Sequence, residues 1–101
     1  MTIQRVYAFN VPNEEDIPGM VQAYRDLAEE NQKDGEKYIL DIKAFKQDGD
    51  KFNQNYNFVA MTQFKDAEDM KFYDNECPAH QKLKDVGKGK TGPPLILFGN
   101  P

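Results

Sequence analysis

This 101-residue chain predicts an α+β fold of order βαββαβ. Three observations carry that prediction. Apolar side chains alternate with period two in Ile3 to Val11, Tyr38 to Lys46 and Tyr56 to Phe64. They recur at helical spacing in the stretches after the first and third of these runs. The chain then closes on a continuous apolar run, Leu95-Ile96-Leu97-Phe98, which reads as a buried strand.

In the first strand Ile3, Tyr7, Phe9 and Val11 share one face, with Val6 and Ala8 on the other. Pro12 and the polar run Asn13-Glu14-Glu15-Asp16 end it. Asp16 is a suitable N-cap, and Pro18 suits a first helical turn, where its missing N–H goes unused. Met20, Ala23, Tyr24, Leu27 and Ala28 form the buried stripe of a helix that runs to about Lys33, with Asp34-Gly35 as its stop. Tyr38, Leu40 and Ile42 alternate against Ile39, Asp41 and Lys43 in the second strand.

Gln47 to Asn55, with Asp48-Gly49-Asp50, predicts a hairpin loop longer than the tightest turns. The third strand places Tyr56, Phe58 and Ala60 on one face and Val59 and Met61 on the other. A second helix follows over Lys65 to Asn75, burying Ala67, Met70 and Tyr73 or Asp74. Pro78 has no N–H and restricts Cys77, so a break is expected there before the helix resumes to about Val86. Gly87 to Pro94 is a loop.

Two helices cover only one face of a four-stranded sheet. The other face would carry Val6, Ala8, Val59, Met61 and part of the last strand, an apolar patch that soluble monomers avoid. A homodimer with sheets packed face to face is the expected remedy.

Composition narrows function. A formal charge of −4 argues against nucleic acid and anionic membranes as partners, and only Arg5 and Arg25 offer guanidinium forks. One cysteine forms no internal disulfide and fits a reducing compartment. Met1 to Asn10 shows no leader pattern, and no apolar run approaches a membrane span. The expectation is a single cytoplasmic domain over residues 1–101.

The stretch Phe72-Tyr73-Asp74-Asn75-Glu76-Cys77-Pro78-Ala79-His80 holds the only histidine and the only cysteine. An imidazole titrates near neutrality, so His80 is the leading general base. At about the third residue of a helix it would lie near free N–H groups that favour its neutral form. The competing role is structural: a ring satisfied by a backbone carbonyl, ordering the break.

Cys77 and His80 also suggest a thiolate–imidazole pair, but Cys77 reads better as a small buried helix cap. One histidine and one cysteine provide too few ligands for a metal, and none is expected. Gly89-Lys90-Thr91 ends like a phosphate-binding loop, yet Lys84 stands where the first glycine belongs. The acidic stretches Asn13 to Asp16 and Asp66 to Asp69 read as solvated helix starts.

With the strand order, the Phe64-Lys65-Asp66-Ala67-Glu68-Asp69-Met70 approach and the restart at Cys77-Pro78-Ala79-His80, the chain resembles the stress-responsive dimeric α+β barrel domain over nearly its whole length. The resemblance implies a ferredoxin-like protomer whose sheet pairs with its twin. That family includes plant stress-associated proteins and polyketide cyclases that close rings by aldol condensation with a His–Tyr acid–base pair. Their histidine matches His80. Their tyrosine, six residues earlier, falls on Asp74, with Tyr73 one position away, and Phe58 stands where they carry a second histidine.

Tyr24, Tyr7 and Phe9 match pocket-lining positions. The implied function is cofactor-free aldol, cyclisation or lyase chemistry on a small hydrophobic or aromatic carbonyl compound. His80, Tyr73 and Tyr24 would be catalytic, and Tyr7, Phe9 and Phe58 would bind substrate. One alternative is a non-catalytic stress-associated dimer with a small, closed pocket. A remote one is an RNA-recognition module, since the Val6 to Pro12 and Tyr56 to Met61 strands place aromatics as base-stacking sheets do.

Overall fold

The computed structural model describes residues 2–49 and 53–101. Four strands, β1 (Ile3–Phe9), β2 (Asp41–Lys46), β3 (Phe58–Phe64) and β4 (Leu95–Gly99), form one antiparallel sheet in the order β2-β3-β1-β4. Helices α1 (Ile17–Glu30), α2 (Ala67–Asn75) and α3 (Pro78–Gly87) accompany it. This is the ferredoxin-like α+β arrangement, with the second helical segment split at Pro78 as its chemistry requires.

Register fixes the two faces. Tyr7 lies opposite Ala60 and Ile96, and Arg5 opposite Thr62 and Phe98, on the side that meets the helices. There Tyr7, Val11, Leu27, Phe58, Ala60, Phe64 and Tyr73 join one buried cluster. Val6 lies opposite Met61 and Leu97, and Ala8 opposite Val59 and Leu95, on the open face. The rings that an RNA-recognition sheet would offer to bases, Tyr7 and Phe58, are therefore turned under the helices.

The ladder between β1 and β3 stops at Phe9 and Phe58 for a chemical reason. The Asn57 amide takes over there: it accepts from the Val11 N–H at 2.8 Å and donates to the Val11 carbonyl at 2.9 Å.

Several boundaries differ from expectation. A short 3-10 turn, Glu14–Asp16, precedes α1, and Asn13 caps it by accepting from the Glu15 N–H. Asp16 occupies the N-cap position of α1 but makes no side-chain cap bond. The helix ends at Glu30, short of Lys33, because Asn31 intervenes. Buried almost completely, Asn31 donates to the Leu27 and Ala28 carbonyls and accepts from the Tyr38 and Ile39 N–H groups. Asp34 and Gly35, both at positive φ, instead form the tight turn of a small bridge between Lys33 and Glu36.

Asn31→Ala would orphan buried groups on both sides of this junction. We expect a loss of about 2–3 kcal/mol, read as a lower urea midpoint at unchanged slope.

In α2 the buried residues are Asp69 and Tyr73, while Ala67 is exposed. Asp66 does cap the helix, accepting from the Asp69 N–H at 2.9 Å. Asp69 is not solvated: it is 1% exposed and pairs with Lys33 at 2.6 Å. A carboxylate one turn into a helix and facing a lysine from another segment has lost its water and gained a partner.

The expected burial of β4 also fails within one chain, where Leu97 is 57% and Phe98 63% exposed. Leu95 and Ile96 are likewise left exposed in the protomer. Of the predicted hairpin loop, residues 50–52 lie outside the described residues; at its start the Gln47 N–H donates to the Asn57 carbonyl. No helix among the described residues is long and apolar enough to cross a membrane.

Candidate active site

A cavity of about 680 Å³ opens between the sheet, α1 and α3. β1 contributes Arg5, Tyr7 and Phe9, α1 Met20 and Tyr24, and α3 His80 and Leu83, with Asp74 and Ile96 at its borders. Gly89 and Thr91, in the loop whose ending resembles a phosphate-binding motif, form part of its rim.

The helix break positions His80. α2 ends with carbonyls that have no intrahelical partner, and Pro78 supplies no N–H to serve them. The Phe72 carbonyl is met by the Glu76 N–H. The Tyr73 carbonyl lies 2.7 Å from His80 Nδ1, and the Asp74 carbonyl lies 3.4 Å from Lys84 Nζ. A carbonyl only accepts, so Nδ1 carries the proton and Nε2 of the neutral ring holds the lone pair.

The imidazole is also stacked on the Tyr73 ring, 3.6 Å between centroids and 11° between planes. Burial lowers the His80 pKa to about 4, against the raising effect of the Tyr73 carbonyl. Lys84 and Arg5 push it down further, and Asp74 pushes it up. His80 is thus neutral at physiological pH, in one tautomer and one orientation.

The two roles weighed for His80 are compatible in this geometry. One nitrogen orders the helix junction, while the ring forms part of the cavity wall.

Of the residues singled out from sequence, Tyr7, Phe9, Tyr24 and His80 share the cavity wall. Phe58 and Tyr73 do not reach it. Phe58 is fully buried behind the wall, 6.0 Å from the Phe9 ring and 5.9 Å from that of Tyr24. Tyr73 is 1% exposed, wedged between Phe64 and His80, with its hydroxyl unpartnered among the described residues. It backs the imidazole and shapes the site from beneath.

Burial pushes the Tyr7 phenol up to about 12, and those of Tyr24 and Tyr73 higher still. All three keep their protons, so they can donate hydrogen bonds but cannot act as bases.

Cys77 stands at the N-cap of α3 without a side-chain cap bond and is buried among core residues. Among the described residues no three His, Cys, Asp or Glu side chains gather as a metal site would require.

Sequence reasoning missed Arg5 and Asp74. Arg5 Nη1 donates to both oxygens of Asp74, each at 2.9 Å. The signal for Arg5 is its phase, inward between Ile3 and Tyr7; Asp74 falls at the cyclases' tyrosine position, which does not reveal a partner 69 residues away.

A Gibberella zeae protein, named for the fusaristatin A biosynthesis cluster, is 38% identical over 84 residues; these are 83% of this chain but 61% of that relative's length. The solved structure of a dimeric ferredoxin-like protein of unknown function from Bacteroides fragilis superposes with a TM-score of 0.78. The match covers 97% of this chain and 94% of that one, at 12% identity. The hydroxynitrile lyase of Passiflora edulis superposes with a TM-score of 0.75 at 10% identity, over 97% of this chain and 91% of the enzyme. Residues 3–90 match the model of the stress-responsive A/B barrel domain, and the chain belongs to that family.

Proposed function

We propose that the chain is a homodimer whose protomers each hold a small apolar or aromatic carbonyl compound, and that His80 acts on it as a cofactor-free base. The observation that carries the proposal is the neutral imidazole, fixed through Nδ1 on the wall of a cavity that Tyr7, Phe9 and Tyr24 also line. Nε2 takes a proton from the carbon beside the carbonyl; the C–H electron pair becomes the enolate C=C bond and the carbonyl π pair moves onto oxygen. The resulting enolate attacks a second carbonyl of the same ligand in an aldol or cyclisation step. The imidazolium then returns the proton to the new alkoxide. In a lyase variant, the base instead takes the hydroxyl proton. The oxygen's electron pair forms the carbonyl as the C–C pair leaves on the departing carbanion or cyanide, and the imidazolium protonates that leaving group.

Tyr24 is the phenol suited to hydrogen-bond the oxygen, because it lines the cavity and keeps its proton. Tyr73 takes a supporting role by holding the imidazole flat. The relative from a biosynthesis cluster and the lyase with the same fold are in keeping with such chemistry.

The non-catalytic alternative expects a small, closed pocket; about 680 Å³ is instead within the usual range for ligand sites, roughly 300–1,000 Å³. To test the proposal, a panel of linear poly-β-ketones and aromatic cyanohydrins is followed for ring closure or aldehyde release. Binding is mapped in parallel by chemical shifts of the His80 ring. Turnover of one class with His80 perturbed is expected; ligands that bind without moving the His80 signals would refute it.

A further inference from the structure

Arg5 is 8% exposed, and a buried guanidinium is costly unless its donors are used. Its pairing with Asp74 is lopsided. A guanidinium usually meets a carboxylate through two nitrogens, one per oxygen. Here a single nitrogen, Nη1, serves both oxygens, and the buried Nε has no partner among the described residues. The anion is also the more solvated member, with the Asp74 side chain 37% exposed at the cavity border against 9% for that of Arg5. The guanidinium lies over the Tyr7 ring, 5.0 Å from its centroid, so it is held in place from below as well.

The surroundings have the same sign. Arg5, Lys84 and Lys88 line the cavity against only two carboxylates, Asp74 and Asp85, in a chain whose formal charge is −4. An acidic protein that gathers a cationic excess around one apolar cavity favours negative ligands there.

We propose that Arg5 is the anion anchor of this cavity, and that its ligand is an apolar or aromatic carboxylic acid bound as the carboxylate. This rests on the cavity being a small-molecule site. The ligand carboxylate takes the outer part of the guanidinium fork, and Asp74, which water already reaches, gives way or turns outward. Neutral aldehydes and nitriles of the same shape fill the apolar part but leave the cation unmatched. The substrate class then becomes a keto acid whose carboxylate is held by Arg5, with its reacting carbon presented towards His80.

The test compares 2-naphthoate with 2-naphthamide, a matched pair differing in charge, by titration calorimetry. The wild type is expected to bind naphthoate about tenfold more tightly, the difference expected of a charge-assisted hydrogen bond. Arg5→Gln should bring naphthoate down to the level of naphthamide and leave naphthamide unchanged. Asp74→Asn removes the competing carboxylate while keeping the cation, so naphthoate should bind about three- to tenfold more tightly. A purely structural ion pair would not produce that gain, and this variant decides the matter if Arg5→Gln fails to fold.

Equal binding of the two probes by wild type would overturn the anchor and leave the cavity reading standing. So would a preference that survives Arg5→Gln, or weaker naphthoate binding by Asp74→Asn. Failure of both probes to bind would overturn both.

Discussion

Replacing His80 by alanine is expected to lower kcat by about 10²–10⁴-fold, the usual contribution of a positioned general base, while the protein stays folded. The sheet and α1 do not depend on the imidazole. The variant does lose the bond to the Tyr73 carbonyl and a stacked ring, so a modest fall in stability should accompany the loss of rate. The pH profile separates base catalysis from a merely structural role.

With its pKa lowered to about 4, His80 is unprotonated from neutral pH down to well below 6. Wild-type kcat/KM should therefore hold level between pH 7 and 5. An unperturbed imidazole of pKa 6.5 would already have cost roughly thirtyfold at pH 5.

Stability has a definite sign in the same window. Between about 6.5 and about 4 the unfolded chain binds the His80 proton and the folded one does not, so stability falls as pH is lowered through that range. His80→Ala should lack this part of the slope. A wild-type rate falling steeply from pH 7 to 5 would rule out the buried neutral base.

What the sequence makes legible follows the reach of each physical signal. Strand phase is local, and it sorts Tyr7, Phe58 and Ala60 from Val6, Val59 and Met61 correctly. Pro78 is local too, and its missing N–H announces the break that brings His80 beneath α2. Asp34-Gly35 misleads because the residue that ends α1 is Asn31, whose bonds to Tyr38 and Ile39 cross seven and eight positions.

Tyr73 and Asp74 show the limit most clearly. One residue of helical phase sends the phenol into the core and the carboxylate to the cavity border, where it meets Arg5. Neither pattern nor spacing could choose between them without the break geometry. Phe58 shares a face with Tyr7 but lies one layer deeper, beneath Tyr24, and depth is invisible to period-two alternation. Hydropathy likewise marks Leu95 to Phe98 as buried without saying by what.

That last run yields a prediction as large as the first. Leu97→Glu is expected to convert the proposed dimer into monomers, with the dimer dissociation constant raised at least about a thousandfold, because a carboxylate would have to leave water at the centre of an apolar interface. Leu97 lies opposite Val6 on the open face, beside Leu95 opposite Ala8, and Met61 and Val59 continue the same surface across β1. Together they make the contiguous apolar patch that a lone soluble chain would not keep.

Within one protomer Leu97 is 57% exposed, so the charge costs the isolated fold little, and a folded monomer should result. Leu40 is the matched control. It is 53% exposed, but it shares the phase of Ile42, on the helix side of β2. Leu40→Glu should leave the dimer intact. Mass measured by light scattering on size-exclusion fractions reads both variants, and wild type that runs as a monomer at micromolar concentration would sink the face-to-face assembly.

The active-site reading can be separated from the assembly in the same experiment. β4 gives Leu95 and Leu97 to the open face and Ile96 to the cavity wall, so the strand that would join two protomers in the proposed dimer also closes one side of each site. Monomeric Leu97→Glu should consequently retain the Nδ1 bond of His80 yet bind ligand more weakly, through a loosened β4. Loss of the dimer with ligand affinity unchanged would show that each cavity is complete without its twin.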